Sequence, residues 1–284
     1  MESKILYIFT RTPLHVGAGA SVGAIDQPII RERHTGFPII PGSGIKGVLR
    51  DRVARDSKFA PGVNSIFGDG SNAGCISFSE AKILAFPVRS AKGGFAFVTC
   101  PLVLKRFKRE YGNHSSPDIP PEPDDMQCLA GSSVTISRKD ENGVVVHTGV
   151  VLEEYRFNRV EGSAGEFSSD WESLLLNLLD DPVWNAGKGR FVLLGNGDFS
   201  HFVRNACEVS QHVGIDPKTG VAKERALFNV ESVPAETLFF GSVSSTDRSS
   251  VELDKLAELC ERKPVLQFGG DGSTGLGFCT VKLS

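Results

Sequence analysis

The sequence LQFGGDGSTGLGFCTVKLS occupies residues 266–284 and contains a glycine loop with a familiar spacing. Gly270, Gly272 and Gly275 fit the pattern G-x-G-x-x-G, which in a dinucleotide-binding fold opens a helix beneath a pyrophosphate. Only nine residues follow Gly275, and LGFCTVKLS leaves no room for that helix. The loop therefore needs another explanation, which the remaining motifs help to provide.

The composition is that of an ordinary globular protein. The chain has 284 residues, of which 40% are hydrophobic and 23% charged, enough for one large domain or two small ones. No apolar run approaches the roughly 18–20 residues of a membrane span, and the N-terminus is too polar for a signal peptide. The six cysteines are scattered without a C-x-x-C pair, which argues against a structural zinc site and fits reduced thiols. We therefore expect a soluble cytoplasmic protein without a membrane partner.

The charges are unevenly distributed along the chain. The net charge of −3 argues mildly against a nucleic-acid partner, because nucleic-acid-binding domains usually carry a basic surplus. Residues 1–58, however, hold nine Lys and Arg against five acids, and KRFKRE at 105–110 forms a second basic cluster. This distribution is compatible with a basic face on a neutral body and equally with a solvated scatter of charges.

The apolar pattern predicts a mixture of strands and helices. LYIFT at 6–10 is typical of a buried strand, and Ser43 is placed to cap a helix that runs to about Asp56. Further strands are expected at 75–79, 95–99, 132–136, 145–152 and 190–194, and further helices at 101–110, 169–180 and 251–262. Irregular stretches separate them, at 17–44, 114–125 and 161–169. We therefore expect one elaborated α/β or α+β domain.

One element stands apart near the C-terminal end. The sequence DPKTG at 216–220 is strong turn chemistry, and extended residues flank it on both sides between 207 and 241. Its arms are rich in polar residues, which predicts a hairpin that projects from the core. Such a hairpin is either a solvated decoration or a protrusion that inserts into a partner.

An imidazole and a carboxylate, His15 and Asp26, lie on one glycine-rich loop. Glycine permits positive φ and lets backbone N–H groups approach an anion closely. A lone Asp in a loop is more often a turn or cap residue, however, and a lone His near a strand end is usually structural. The pair is a weak signal by itself.

The next segment, PGSGIKGVLR at 41–50, predicts an anion site. Small residues open a helix whose N-terminal amides and the Lys46 side chain point to one place. The segment is not a Walker A motif, because neither Ser nor Thr follows the lysine. Phosphate binding without nucleotide hydrolysis is the better inference.

Several of these stretches together resemble a known family. In chain order they are PLHVGAG at 13–19, DQPI at 26–29 with Arg31 close behind, GFPIIPGSGIKGVLR at 36–50, IDPKTGVAKERALFNVESVPAETLF at 215–239 and FGGDGSTGLGF at 268–278. They resemble the RAMP superfamily of CRISPR proteins, and specifically the backbone (Cas7-like) subunit of the type III-B (Cmr) RNA-guided effector.

The resemblance implies an α+β fold with an RRM-like, ferredoxin-type core and long insertions. Residues 1–284 would form a single RAMP domain, with 207–235 as a projecting β-hairpin thumb and 100–185 as an insertion-rich middle. The terminal glycine loop would precede a final strand and lie against RNA backbone, a contact that does not depend on base sequence. A purely structural tight turn is the alternative.

The family further implies a filament subunit that binds guide (CRISPR) RNA and cleaves complementary target RNA at regular intervals. Copies of the chain would stack along the guide beside other Cmr subunits, and each thumb would displace a base pair. A splayed nucleotide can align its own 2′-OH with the leaving 5′-oxygen, which an A-form helix prevents. The implied cofactor is a divalent metal ion, Mg or Mn.

The resemblance also implies site residues. Asp26 ranks first, either as a metal ligand or as acceptor of the 2′-OH proton. His15 and Glu231 match other polar positions of the family and would assist or orient. The implied RNA-binding residues are Gly17, Gly19, Gly42, Ser43, Gly44, Lys46, Arg50, Gly269, Gly270, Gly272 and Ser273.

Three other functions stay open at this point. A related filament subunit would hold guide RNA without cutting, and a guide-processing ribonuclease of the same superfamily would cut free precursor RNA. A metabolic phosphate-binding enzyme is more distant. Asp26 and the IDPKTG hairpin favour the target-cleaving subunit.

Overall fold

The computed structural model of the chain describes residues 2–19, 25–112, 116–143, 145–245 and 251–284. Within these ranges it has a mixed α/β fold. The strands are β1 Ser3–Thr10, β2 Ile39–Ile40, β3 Ile76–Phe78, β4 Ala81–Ser90, β5 Gly94–Thr99, β6 Gln127–Ala130, β7 Ile136–Lys139, β8 Val145–Leu152, β9 Tyr155–Arg159, β10 Phe191–Leu194, β11 Glu208–Ile215, β12 Ala222–Ser232, β13 Leu238–Ser245, β14 Val265–Gln267 and β15 Phe278–Leu283. The α-helices are α1 Gly42–Ala54, α2 Val63–Phe67, α3 Pro101–Tyr111, α4 Ser169–Leu176, α5 Pro182–Asn185, α6 Asn196–Asn205 and α7 Val251–Arg262.

The chain divides into two compact units. The first comprises Met1–Lys82, Cys207–Ala235 and Gly241–Ser284, and the second comprises Ile83–Ala206 and Glu236–Phe240. This division does not test the prediction of a single functional domain over 1–284, which stays a prediction. No helix in the described part of the chain is long and apolar enough to cross a membrane.

The first unit is built on a sheet in which β14, β15, β1, β13 and β3 lie side by side in that order. Strand β1 is buried almost throughout and pairs antiparallel with β15, with Leu6 opposite Leu283. Such a continuous apolar run is typical of a strand covered on both faces. Helix α7 lies against β15 and buries Leu253, Leu256 and Leu259.

Helix α1 begins two residues earlier than predicted. Pro41 is its N-cap, with extended backbone at φ −61° and ψ 143°, and the carbonyl of Pro41 accepts a hydrogen bond from the N–H of Ile45 at 3.1 Å. The prediction of Ser43 as the N-cap is therefore wrong, because the proline already holds the N-cap conformation and Ser43 falls inside the first turn. The helix buries Ile45, Leu49 and Val53 on one face.

The second unit is built on a sheet with the order β4, β5, β10, β6, β9, β8 and β7. Strands β5 and β10 run parallel, with Phe97 opposite Phe191. The Phe97 ring packs edge-on against Trp184, with 4.8 Å between centroids, and stacks on Phe191 at 5.5 Å. Trp184 is buried, and its Nε1–H donates to the carbonyl of Leu175 at 2.9 Å, which satisfies its one polar atom.

Most predicted elements are present with shifted ends. Strands β3, β5, β8 and β10 confirm four of the predictions, and helices α3 and α7 confirm two more. Helix α4 ends at Leu176, where Asn177 is the C-cap, rather than at 180. The hairpin predicted around 216–220 is also present.

The strand predicted at 132–136 is wrong. The hydroxyl of Thr135 donates to the carbonyl of Gly131 at 2.7 Å, and the N–H of Ser133 donates to the carbonyl of Gly189 at 2.9 Å. The first bond closes a turn between β6 and β7, and the second ties this turn to the segment before β10. Local hydroxyl-to-backbone bonds of this kind compete with strand pairing, and here they prevail.

The irregular, proline-rich stretch predicted at 114–125 is anchored to the second unit in its described part, residues 116–125. Residues 116–125 form no helix or strand. The Lys108 ammonium donates to the carbonyl of Pro117 at 2.9 Å, and the indole N–H of Trp171 donates to the carbonyl of Asp118 at 2.8 Å. Irregular backbone is thus held in place by side chains of α3 and α4.

Strands β11 and β12 form an antiparallel hairpin in which Gln211 lies opposite Asn229. The carboxylate of Asp216 accepts a hydrogen bond from the N–H of Lys218 at 2.7 Å and so fixes the turn. Large apolar side chains of the hairpin are exposed. They are Val209, Val213, Ile215, Val221 and Leu227.

Three buried thiols are unsuited to nucleophilic chemistry. Burial raises the pKa of Cys100, Cys128 and Cys260 to about 12. The reactive form of cysteine is the thiolate, which is scarce at neutral pH when the pKa is that high.

We expect Gly42→Ala to destabilise the fold, because a Cβ at this position would lie 2.4 Å from the carbonyl oxygen of Phe78. Helix α1 or strand β3 would have to shift, at a cost of about 1–3 kcal/mol, and thermal unfolding should show a Tm lower by several degrees. Gly47→Ala is the matched control, since its Cβ meets nothing within 4 Å and Ala is favoured over Gly in a helix. Equal Tm values for the two variants would contradict the close packing of Gly42 against the carbonyl of Phe78.

Candidate functional site

The segment between β1 and β2, residues 11–38, is called here the N-terminal loop. It folds back on itself, with Gly17 and Ile29 forming a β-bridge. The predicted RNA-binding residues Gly17 and Gly19 are both exposed, and Gly19 has a φ of 85°. Residues 20–24, which belong to the predicted glycine-rich stretch, lie outside the described residues.

The N-terminal loop is fastened to the edge of β12 that β11 does not occupy. The N–H of Gln27 donates to the carbonyl of Asn229, and the N–H of Glu231 donates to the carbonyl of Gln27, both at 3.0 Å. Further along the same edge, Leu14 and Val233 exchange two backbone bonds of 2.8 and 2.9 Å. The loop thereby satisfies backbone groups that a strand edge would otherwise leave without partners.

Asp26 presents an exposed carboxylate at this edge. Its Oδ2 accepts a hydrogen bond from the N–H of Asn229 at 2.8 Å. Among the described residues, no hydrogen bond reaches its Oδ1. One oxygen is therefore oriented by the protein, while the other is available to a ligand.

His15 joins three segments of the first unit. Its Nδ1 lies 2.6 Å from the carbonyl oxygen of Glu231, and its own carbonyl accepts a hydrogen bond from the N–H of Gly270 at 2.8 Å. Because a carbonyl oxygen can only accept, Nδ1 carries the proton and Nε2 of the neutral ring is unprotonated. The residue is only 7% exposed, so its ring is held in a fixed orientation.

The Glu231 carboxylate is buried and committed to the protein. Its Oε1 accepts a hydrogen bond from Nη2 of Arg31 at 2.6 Å, and its Oε2 accepts one from the N–H of Ile29 at 3.0 Å. Glu231, a predicted catalytic residue, thus lies beside His15. Both of its oxygens, however, hold the N-terminal loop.

A thiol next to this ion pair stays neutral. Nη2 of Arg31 also donates to Sγ of Cys207 at 3.3 Å. Burial raises the pKa of Cys207 to about 11, and the positive charge of Arg31 offsets only part of that rise. Cys207 is therefore a neutral hydrogen-bond acceptor at physiological pH.

The terminal glycine loop, residues 268–277, passes under His15 before it enters β15. Gly269 has a φ of 72°, and a Cβ there would lie 2.1 Å from the His15 carbonyl oxygen. A Cβ at Gly277 would lie 1.9 Å from the carbonyl oxygen of Phe268. The strand expected after this loop is present as β15, and the close approaches explain why these two positions require glycine.

Other residues of the glycine loop face outward. Of the predicted RNA-binding residues here, Gly270 and Ser273 are exposed. Gly272 opens a short 3₁₀ turn, where a Cβ would lie 2.8 Å from the Gln267 side chain. Internal packing therefore accounts for the glycines at 269 and 272, while the exposed residues of the loop are Gly269, Gly270, Asp271, Ser273, Thr274 and Gly275.

The first turn of α1 has the features of an anion site. Gly42, Ser43 and Gly44 form this turn, whose N-cap side chain makes no capping bond, and Lys46 follows on the helix. Arg50 is engaged elsewhere, since its Nη1 donates to the carbonyl of Gly68 at 2.9 Å. Lys46 is thus the better placed of the two predicted basic contacts.

The donor set limits how a divalent metal ion can bind. The described residues contain no group of three or more His, Cys, Asp or Glu side chains able to hold a metal ion. Asp26 offers one carboxylate, and magnesium is commonly bound through one or two carboxylates together with substrate phosphates. The site therefore fits a cation shared with RNA, and does not fit one held by the protein alone.

The three predicted catalytic residues meet at one strand edge. Asp26 and His15 bond to backbone groups of Asn229 and Glu231, which are two residues apart and so separated by about 7 Å along a strand. Sequence reasoning missed the roles of Arg31 and Asn229. The positive charge of Arg31, on the same loop as Asp26, could have indicated its role. Asn229 acts through its backbone N–H, so no sequence motif could have indicated it.

Known proteins resemble the chain over almost its whole length. The chain matches the RAMP superfamily over residues 8–280. It is 33% identical, over all of its length and 96% of the relative's, to a protein of Pyrococcus furiosus named CRISPR system Cmr endoribonuclease Cmr4.

Solved structures give the same result. The crystal structure of oligomeric Cmr4 from Pyrococcus furiosus superposes with a TM-score of 0.75 at 30% identity, covering 100% of this chain and 98% of that one. A subunit of the type III-B Cmr-beta complex bound to cognate target RNA shares the fold, with a TM-score of 0.72 at 19% identity and coverage of 100% and 97%. The chain belongs to the RAMP superfamily and, within it, to the family of Cmr4.

Proposed function

We propose that this chain is a guide-RNA-binding filament subunit of a type III-B CRISPR effector that cleaves complementary target RNA at regular intervals. The observation that carries the proposal is the Asp26 carboxylate, exposed and oriented through one oxygen at the base of the β11–β12 hairpin. The relative named as a Cmr endoribonuclease supports the same activity.

We further propose that the first unit contains an RRM-like, ferredoxin-type core. Four of its strands lie in the order β15, β1, β13 and β3, while α1 follows β1 and α7 follows β13 along the chain. This arrangement supports two β-α-β halves around one sheet. The whole of 1–284 would act as one elaborated RAMP domain, with residues 100–185 as its insertion-rich middle.

Guide RNA would be bound through its backbone. The first turn of α1 with Lys46 supplies N–H groups and a positive charge for phosphates, and exposed glycines let the RNA backbone approach closely. The proposed RNA-binding residues are Gly17, Gly19, Gly42, Ser43, Gly44, Lys46, Arg50, Gly269, Gly270, Gly272 and Ser273. Contacts of this kind hold any guide sequence, so specificity would come from base pairing.

The hairpin at 207–235 would act as a thumb. Its exposed apolar side chains are suited to lie against unstacked bases or a neighbouring copy of the chain. Stacked copies, together with other Cmr subunits in the cytoplasm, would repeat the thumb along the guide. That repetition accounts for cleavage at regular intervals.

Cleavage would use the 2′-OH of the splayed nucleotide as nucleophile. The bond from O2′ to phosphorus forms while the bond from phosphorus to the 5′-oxygen breaks, Asp26 accepts the 2′-OH proton on its available oxygen, and the leaving 5′-oxygen takes up a proton from water. The hydrogen bond from Asn229 keeps that carboxylate in place. In the alternative role, Asp26 would instead hold a divalent cation, Mg or Mn, which would supply positive charge against the charge that develops on the reacting phosphate.

His15 and Glu231 would have different parts in this reaction. Unprotonated Nε2 of His15 is chemically able to accept a proton or, once protonated, to attract a phosphate. Glu231 would orient the site, because both of its oxygens are already engaged. A subunit that holds guide RNA without cutting is the second candidate, and the Asp26 experiment separates the two.

Asp26→Asn should abolish most target cleavage while leaving guide and target binding near parental strength. Asparagine keeps an oxygen that can accept the Asn229 N–H, but it can neither take up the proton nor carry the charge. General-base catalysis is typically worth about 10²- to 10⁴-fold, so single-turnover cleavage by the reconstituted complex should fall by that order. Asp140→Asn, which alters a carboxylate that also accepts a backbone N–H, is the matched control. Parental cleavage by Asp26→Asn would place the catalytic group elsewhere, with Glu231 or His15 as the next candidate, whereas a parent complex that does not cut target RNA would favour the non-catalytic subunit.

Replacing Asp216–Gly220 by Asn-Gly should shorten the thumb without unfolding the chain, because exposed loop tips tolerate such changes. Cleavage products of the assembled complex should then become weaker or lose their regular spacing on a gel, while Tm stays near the parental value. An unchanged ladder of products would show that the hairpin is a decoration.

Lys46→Ala should weaken guide binding and flatten its dependence on salt. Each lost phosphate contact reduces the slope of log K against log salt by about 0.7 for single-stranded RNA. Arg50→Ala should change this slope less, because its guanidinium already bonds to Gly68. Titrations at several salt concentrations measure both slopes. A parental slope for Lys46→Ala would show that Lys46 of α1 does not contact the RNA phosphates.

A further inference from the structure

We propose that Arg31 is a positioning residue that holds Asp26 and His15 in their working geometry through its ion pair with Glu231. The inference rests on the proposed function and deepens it, since it assigns a role to a residue that would not touch RNA.

Arg31 links separate segments of the first unit with one guanidinium. Nη1 donates to the carbonyl of Gly36 at 2.8 Å, within the N-terminal loop. Nη2 donates to Oε1 of Glu231 at 2.6 Å, on β12, and to Sγ of Cys207 at 3.3 Å, just before β11. The planar fork of arginine can make these bonds at once, which the single ammonium of lysine cannot reproduce.

The bonds continue from Arg31 to Asp26. The second oxygen of Glu231 holds the N–H of Ile29, and the backbone of Gln27 bonds to both Asn229 and Glu231. Four of the six residues from Asp26 to Arg31 therefore form hydrogen bonds to β12, namely Asp26, Gln27, Ile29 and Arg31. A displacement at Arg31 would pass along this short segment to the Asp26 carboxylate.

The same ion pair bears on His15. Nδ1–H of His15 donates to the carbonyl of Glu231, so any movement of Glu231 turns the imidazole as well. Glu231 thus contacts the His15 ring through its backbone carbonyl and the segment that carries Asp26 through its carboxylate.

Because the Glu231 carboxylate is buried, it depends on Arg31 as its counter-ion. Glu231 is 5% exposed, and without Arg31 its carboxylate would keep, among the described residues, only the Ile29 N–H as a hydrogen-bond partner. A buried carboxylate that loses its counter-ion must take up a proton or draw in water, and either change opens the contact between the N-terminal loop and β12. Unlike an exposed ion pair, this one cannot be replaced by solvent without a structural change.

The test compares Arg31→Met and Arg31→Lys with the parent in the complex reconstituted with guide RNA. Arg190→Met is the matched control, because that guanidinium also bonds to a backbone carbonyl, that of Gly93, but lies in the second unit. The measurements are the single-turnover cleavage rate at saturating target, the target Kd, and amide hydrogen exchange over residues 25–31 and over β1.

Arg31→Met should lower the cleavage rate by up to about 100-fold, the order expected when a catalytic group is displaced by ~1 Å, with Kd unchanged. Exchange should become faster over residues 25–31 and stay parental in β1. Arg31→Lys should recover part of the rate, and Arg190→Met should match the parent.

Three results would overturn the proposal. They are a parental cleavage rate for Arg31→Met, a rate loss accompanied by faster exchange in β1, and unchanged exchange over residues 25–31. A parent complex that fails to cut target RNA would refute the proposed function instead. In that case, exchange over residues 25–31 would still decide whether Arg31 holds the loop.

Discussion

The outer edge of β12 is the constraint on which the candidate site depends. A strand with a single neighbour leaves alternate backbone N–H and C=O groups without partners, and buried groups of this kind must be satisfied. In this chain the N-terminal loop and His15 satisfy them between Asn229 and Val233. The carboxylate, the imidazole and the base of the hairpin are consequently placed by one set of backbone bonds.

The terminal glycine loop extends this arrangement to the last strand of the fold. Its backbone approaches the His15 carbonyl so closely that a side chain at Gly269 has no space. Strand β15, which follows, pairs with β1 in the central sheet, and β1 leads directly into the N-terminal loop. The C-terminal end of β1 and the N-terminal end of β15 therefore lie beside the site, which couples the stability of the sheet to the geometry of the loop.

Much of the fold could be predicted from the sequence, because apolar periodicity reports burial directly. Helix α7 and strand β8 fall at their predicted bounds, whereas the segment at 132–136 forms a turn through hydroxyl-to-backbone bonds that periodicity does not encode. The residue types at Asp26 and His15 pointed to the site. Their partners on β12 were beyond sequence reasoning, because backbone groups more than two hundred positions away supply the contacts.

The exposed apolar side chains of the hairpin have a consequence for the subunit before assembly. Val209, Val213, Ile215, Val221 and Leu227 are between 46% and 61% exposed on a hairpin whose two strands form a sheet of their own. Extended segments of this composition favour association between identical chains, independently of how stable the fold is. Self-association of the free subunit should therefore increase with its concentration. Co-expression with its RNA and protein partners should give more homogeneous material than expression of the subunit alone.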